Sequence, residues 1–90
     1  SAILAARTAG LMVSNHNPAG IEPRGLAFAV GAKSGPAGSS DRTFGHTGST
    51  GTACWADPAT DTICVVLTSL PATAVTPHPR DVASDRVAAA

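Results

Sequence analysis

Ninety residues with 43% hydrophobic and 13% charged side chains describe one globular domain at most, not a disordered, collagen-like or membrane-embedded chain. Six basic residues balance six acidic ones without any run of Lys or Arg, which disfavours nucleic acid and anionic membrane as partners. Phe28, Phe44 and Trp55 are the only large rings and tyrosine is absent, so a self-contained core would be thin; the composition reads as part of a larger body completed by segments outside these residues.

Residues 1–13 read as a short helix, with Ile3, Leu4, Ala6, Leu11 and Met12 on one stripe and Ser1 able to cap it. Asn15, Asn17, Pro18, Gly20 and Pro23 then end the helix in a loop. Residues 25–32 alternate Leu26, Phe28 and Val30 with Ala27, Ala29 and Gly31, the pattern of a strand with one small-residue face. Residues 33–43, rich in Ser, Gly and Pro, read as an exposed connection without chemistry. Two β-rich runs, 44–56 and 62–70, flank Asp57-Pro58-Ala59-Thr60-Asp61 and predict a hairpin in which Ala56 faces Thr62 and Cys54 faces Cys64. After a proline-punctuated tail, residues 80–90 predict a last helix that starts near Asp81 and has an apolar side of Val82, Val87 and alanines. The gross order is helix, three strands, helix, an α+β arrangement whose antiparallel sheet is flanked by the first and last helices. Ile63, Val65 and Leu67 on one face, with Cys64 and Val66 on the other, call for cover on both sides of the last strand. No apolar stretch approaches the roughly 20 residues of a membrane span. No signal-type segment follows Ser1, and the compartment stays open.

The segment richest in chemistry is Phe44-Gly45-His46-Thr47-Gly48-Ser49-Thr50-Gly51-Thr52. Glycine inside a strand weakens it and commonly marks a bulge or the close approach of a ligand. His46, Thr47 and Ser49 then offer a titratable ring, hydroxyls and backbone donors at one edge.

That segment, with Trp55-Ala56-Asp57-Pro58 and Ile63-Cys64-Val65-Val66-Leu67-Thr68 at ungapped spacing, resembles the C-terminal region of serine β-lactamases, penicillin-binding proteins and related esterases and aminopeptidases. The resemblance extends more loosely over residues 1–90 and implies a C-terminal portion of one β-lactamase-like domain. It implies further that His46 stands at the position usually held by lysine and that the Ser49 amide donates to the oxyanion hole. Thr47 would bond substrate, and Gly48 would let substrate lie against the strand. One such oxyanion donor is worth about 2.7–4 kcal/mol of barrier. An imidazole in place of an ammonium makes the local charge pH-dependent near neutrality and points to ester, amide or D-amino-acid peptide substrates more than to β-lactams.

No serine here has a lysine three positions later, and no Tyr-x-Asn or Ser-x-Asn element occurs. A serine without its base is a weak nucleophile. The resemblance therefore implies that the nucleophile, its lysine and the tyrosine belong to other sequence, most simply the N-terminal part of the same enzyme, and that this chain alone is inactive. A non-catalytic binding module with the same strand pattern, or a dedicated subunit, is the alternative. No cofactor is implied, and no histidine pair has metal-ligand spacing. His16 and His78, among Asn and Pro residues, read as solvated, so His78 serves as the silent comparison for His46. Cys54 and Cys64 read as buried thiols and Trp55 as a core anchor. Asp57-Pro58 reads as turn chemistry.

Overall fold

The computed structural model describes residues 3–90, so the expected Ser1 cap lies outside the described residues. The first helix, α1 (Ala6–Met12), is shorter than residues 1–13 and starts at Ala5 without a side-chain cap. None of its residues is buried, and Ile3, Leu4 and Leu11 of its apolar stripe are exposed. The expectation that this helix covers the sheet is thus not met. At its end the Ser14 hydroxyl donates to the Gly10 carbonyl and His16 Nε2 donates to Leu11 O at 2.7 Å. The following loop is clasped by Asn15, whose side-chain oxygen accepts from the amides of Asn17 (2.9 Å) and Arg24 (3.0 Å).

Four strands, β1 (Ala29–Val30), β2 (Phe44–Thr47), β3 (Ala53–Asp57) and β4 (Thr62–Val66), form one antiparallel sheet in the order β1-β2-β3-β4. The strand expected over 25–32 shrinks to two residues. The chain turns first, with the Gly25 amide donating to Phe28 O at 2.8 Å and Ala27 at φ 79°. Gly25 backs onto the Met12 carbonyl, leaving no room for a Cβ. Phe28 then meets Phe44 edge to face, ring centres 5.3 Å apart.

The run expected as a single strand over 44–56 is itself a hairpin, which makes the strands four and not three. The Gly48 amide donates to Thr52 O at 2.9 Å, and the Gly51 amide donates back to Gly48 O at 3.0 Å. Residues 49–51 are therefore a three-residue loop, closed by Gly51 at φ +102° in the left-handed region.

The β3–β4 hairpin has a four-residue loop where five were expected. Asp57 pairs with Thr62, Ala56 with Ile63, Trp55 with Cys64 and Cys54 with Val65. The Thr60 amide turns back to Asp57 O at 3.2 Å, and Asp61 at φ 54° completes the reversal. A one-residue change of register moves a side chain to the other face. Cys54 and Cys64 accordingly do not face each other: Cys64 is a buried thiol, as expected, whereas Cys54 is exposed.

The last helix, α2 (Pro79–Ala89), starts two residues before Asp81, with His78 as N-cap and proline at its first position. It packs on the sheet face that carries Ala53, Trp55 and Cys64. The helix residue buried there is Ser84, while Val82 and Val87 stay exposed. Trp55 is the expected core anchor: it is 5% exposed and its indole N–H donates to Ser84 Oγ at 3.0 Å. The opposite face stays open among the described residues, with Ile63, Val65 and Leu67 exposed by 78%, 60% and 79%. No helix among the described residues is long and apolar enough to cross a membrane.

Candidate active site

Strand β2 and the loop after it present the residues singled out by the sequence. His46, Thr47 and Ser49 are exposed and Gly48 is half-buried, so these four lie together along one open edge. Successive strand residues point to opposite faces. His46 shares the open face with Cys54 and Val65, while Thr47 lies opposite Ala53 on the α2 side. Two open clefts meet at this edge. One, of about 320 Å³, brings Glu22, Arg24 and Lys33 round to His46 and Thr47. The other, of about 350 Å³, is apolar apart from the edge itself, with Cys54, Val65 and Leu67 facing His46, Thr47 and Gly48.

The glycines of this segment answer to the protein's own packing, where a ligand was expected. Gly45 is buried opposite Trp55, and a Cβ there would overlap Trp55 and the Cys54 carbonyl. At Gly51 the space is taken by the Leu70 carbonyl and the Thr68 hydroxyl. The segment is glycine-rich because a large indole and a neighbouring loop press on it.

Ser49 follows Gly48 at the start of the loop, as the second residue of the turn that the Gly51–Gly48 bond closes. Its carbonyl accepts from the Ala72 amide at 3.1 Å, and its own amide has no acceptor among the described residues. The loop rests on residues 68–72, where Thr68 Oγ1 donates to Gly51 O at 2.9 Å. Arg80, in the first turn of α2, reaches the neck of the loop: one Nη1 donates to Gly48 O at 2.8 Å and to Thr52 O at 3.1 Å.

His78 is not solvated, as its setting in the sequence suggested, but 3% exposed. Its Nδ1 accepts from the Arg80 amide at 3.0 Å, so the ring proton sits on Nε2 and is donated to Leu70 O at 2.8 Å. It caps α2 and ties the helix to the segment under the Ser49 loop. Pro79 at the first helical position was the signal that would have placed this cap. For Arg80 the sequence held no signal, since its partners are two backbone carbonyls 28 and 32 residues away.

Asp57 is the third residue with more partners than its turn chemistry implied. Besides the expected bond from the Ala59 amide (3.0 Å), its carboxylate accepts from both the hydroxyl and the amide of Ser40. The Ser40 hydroxyl, then its amide, hold the Asp57 carboxyl below its ordinary range. The connection over 33–43 is therefore tied to the sheet and not a free loop.

A family model described as Beta-lactamase matches residues 1–89. Together with the four-stranded antiparallel sheet and its packed helix, this makes the molecule an α+β chain of the β-lactamase-like, serine-hydrolase type. The chain belongs to the β-lactamase family. No curated protein and no solved structure matches it.

Proposed function

We propose that this chain forms one wall of an acyl-transfer site whose nucleophilic serine comes from outside these ninety residues, and that the substrate is a small ester, amide or peptide. The observation that supports the reading is the open edge itself: His46, Thr47 and Ser49 are exposed in succession, His46 toward the open face and Thr47 toward the α2 side, with the Ser49 amide free to donate. In the reaction the serine hydroxyl gives its proton to the base that accompanies it outside these residues, and its oxygen attacks the substrate carbonyl; that proton later goes to the leaving group. The electron pair of the C=O bond moves onto its oxygen, and the Ser49 N–H stabilises that oxyanion. The pair returns as the leaving group departs with a proton, and water then releases the acyl group from the serine by the same two steps. Thr47 donates its hydroxyl to a substrate carbonyl or carboxylate, and His46 sets the charge and proton supply beside it. Gly48 keeps the strand clear of side-chain bulk, although the Thr52 hydroxyl also occupies the space a Cβ would need.

In an enzyme that combines this chain with the serine-bearing segment, His46→Ala should lower turnover of an activated ester by about 10²–10⁴-fold, the usual worth of a positioned acid or base. His16→Ala is the comparison, because that ring is exposed and bonds only Leu11 O; equal losses would discredit the site. The chain alone should be inactive. Saturable turnover abolished by changing one of its own serines would contradict the reading, and native material that runs as a lone 8.9 kDa monomer, where co-purification with a larger chain is expected, would favour a binding module instead.

A further inference from the structure

We propose that Arg80 is a positioning residue for the oxyanion donor, acting through the neck of the loop that carries Ser49. The inference rests on the reading that the Ser49 amide is that donor. Gly48 and Thr52 are the last facing pair before the loop, and each carbonyl already accepts one backbone hydrogen: Gly48 O from the Gly51 amide, Thr52 O from the Gly48 amide. The two hydrogens of one Arg80 Nη take a second lone pair on each carbonyl, so the guanidinium cross-links both sides of the neck. A lysine ammonium is a point charge on a flexible stem and lacks that planar fork.

Arg80 is itself firmly held. It is half-buried and its backbone amide donates to the cap residue His78, whereas its buried Nε finds no partner among the described residues, so Nη1 makes the side chain's hydrogen bonds. From the same helix start, His78 holds Leu70 O, the carbonyl pressed against Gly51, while the Ala72 amide holds Ser49 O. The tip of the loop is thus fixed from below and its neck from the side. Without the guanidinium, the two backbone bonds are the hydrogen bonds left on the Gly48 and Thr52 carbonyls among the described residues, and the Ser49 amide follows Gly48 directly. A misplacement of about 1 Å can cost on the order of 10²-fold in rate.

The test uses the enzyme that contains this chain together with its serine. Arg80→Ala should lower kcat for an activated ester by about 10–100-fold while KM stays within about twofold, because an oxyanion donor acts in the transition state and not on bound substrate. The affinity of a boronic acid, whose tetrahedral adduct places an oxygen in the oxyanion position, should fall by a similar factor. Added guanidinium should restore part of the rate, and Arg80→Lys should fall between Arg80→Ala and the parent. Unchanged kcat, or a loss in which KM rises as much as kcat falls and guanidinium does not help, would overturn the proposal. Should Arg80→Ala fail to fold, the kcat and boronate readings on Arg80→Lys decide it. Ser49→Pro separates this proposal from the reading beneath it. Proline is favoured at the second position of such a turn; it removes the N–H and the side-chain hydroxyl and sets a ring carbon in place of the hydrogen, so Ser49→Ala, which keeps the N–H and should keep kcat, is its comparison. If Ser49→Pro keeps full kcat, the donor assignment fails; if it loses kcat while Arg80→Ala does not, only the role of Arg80 fails.

Discussion

Asp57 stands at the end of β3, 2% exposed, with a carboxylate that collects the Ser40 hydroxyl, the Ser40 amide and the Ala59 amide. These donors favour the ionised form, which is why its pKa lies below the ordinary 3.8. The sign of the linkage follows. A carboxyl whose pKa is lowered by folding stabilises the fold fully above its unfolded value, and that contribution disappears as the pH falls through the folded value. Asp57→Asn should therefore lower the thermal midpoint at neutral pH, and the gap between variant and parent should narrow as the pH falls from neutral through and below the ordinary carboxylate range. Midpoints recorded by circular dichroism across that range check it; a gap that stays constant would mean that the ionised carboxylate contributes nothing. The two consequences of Asp57 differ in visibility. Its bond to the Ala59 amide was legible in the Asp-Pro turn, whereas its partner Ser40 lies 17 residues away in a stretch whose composition shows only exposure and turn.

Helix α2 shows what a local pattern conveys and what it omits. Its existence follows from residues 80–90, but its start depends on His78, which the surrounding prolines made look solvated. His78→Ala should destabilise the protein by about 0.5–2 kcal/mol through the lost cap, with a further cost from the Leu70 carbonyl left without its donor. His78→Asn keeps a capping oxygen and should recover part of that loss, as urea unfolding would show. Equal stability of parent and His78→Ala would return the residue to the solvated role read from sequence. The hairpins divide in the same way. Pairing between β3 and β4 was legible from the two β-rich runs around Pro58. Their register was not, because Asp61 adopts φ 54° and shortens the loop by one residue, which sends Cys54 to the face opposite Cys64. The turn inside the run over 44–56 escaped for a different reason: Gly45 makes room for Trp55 of the same run and Gly51 for the distant Leu70, and read as one strand the run gives no sign that it folds back to bring Gly45 against Trp55. The family was legible in the His-Thr-Gly segment because the resemblance is carried by residue identity and spacing, which do not require the fold.

At the scale of the whole molecule, the sheet has one covered face and one open one, and the two follow the alternation along β4. Cys64 goes under α2, while Ile63, Val65 and the following Leu67 stand exposed. Strand β4 also has β3 as its only strand partner among the described residues, which leaves a row of backbone donors and acceptors along its outer side. Contiguous exposed apolar surface of this kind marks a contact, and the same face runs into the cleft beside His46 and Gly48. If the serine-bearing segment of the enzyme covers this face, one set of changes should have opposite effects in two settings. The chain alone should self-associate through this apolar patch, and Ile63→Thr, Val65→Thr and Leu67→Thr together should suppress that association. In the complete enzyme the same triple variant should be destabilised by several kcal/mol, since burying each of these side chains is worth about 1.5–3 kcal/mol. Sedimentation of the chain and denaturant unfolding of the enzyme measure the two effects separately. A triple variant that leaves the enzyme as stable as its parent would show that this face remains open in the assembled protein, and the completing segment would then have to meet the sheet at its edges, beside His46 and Thr47 or along β4.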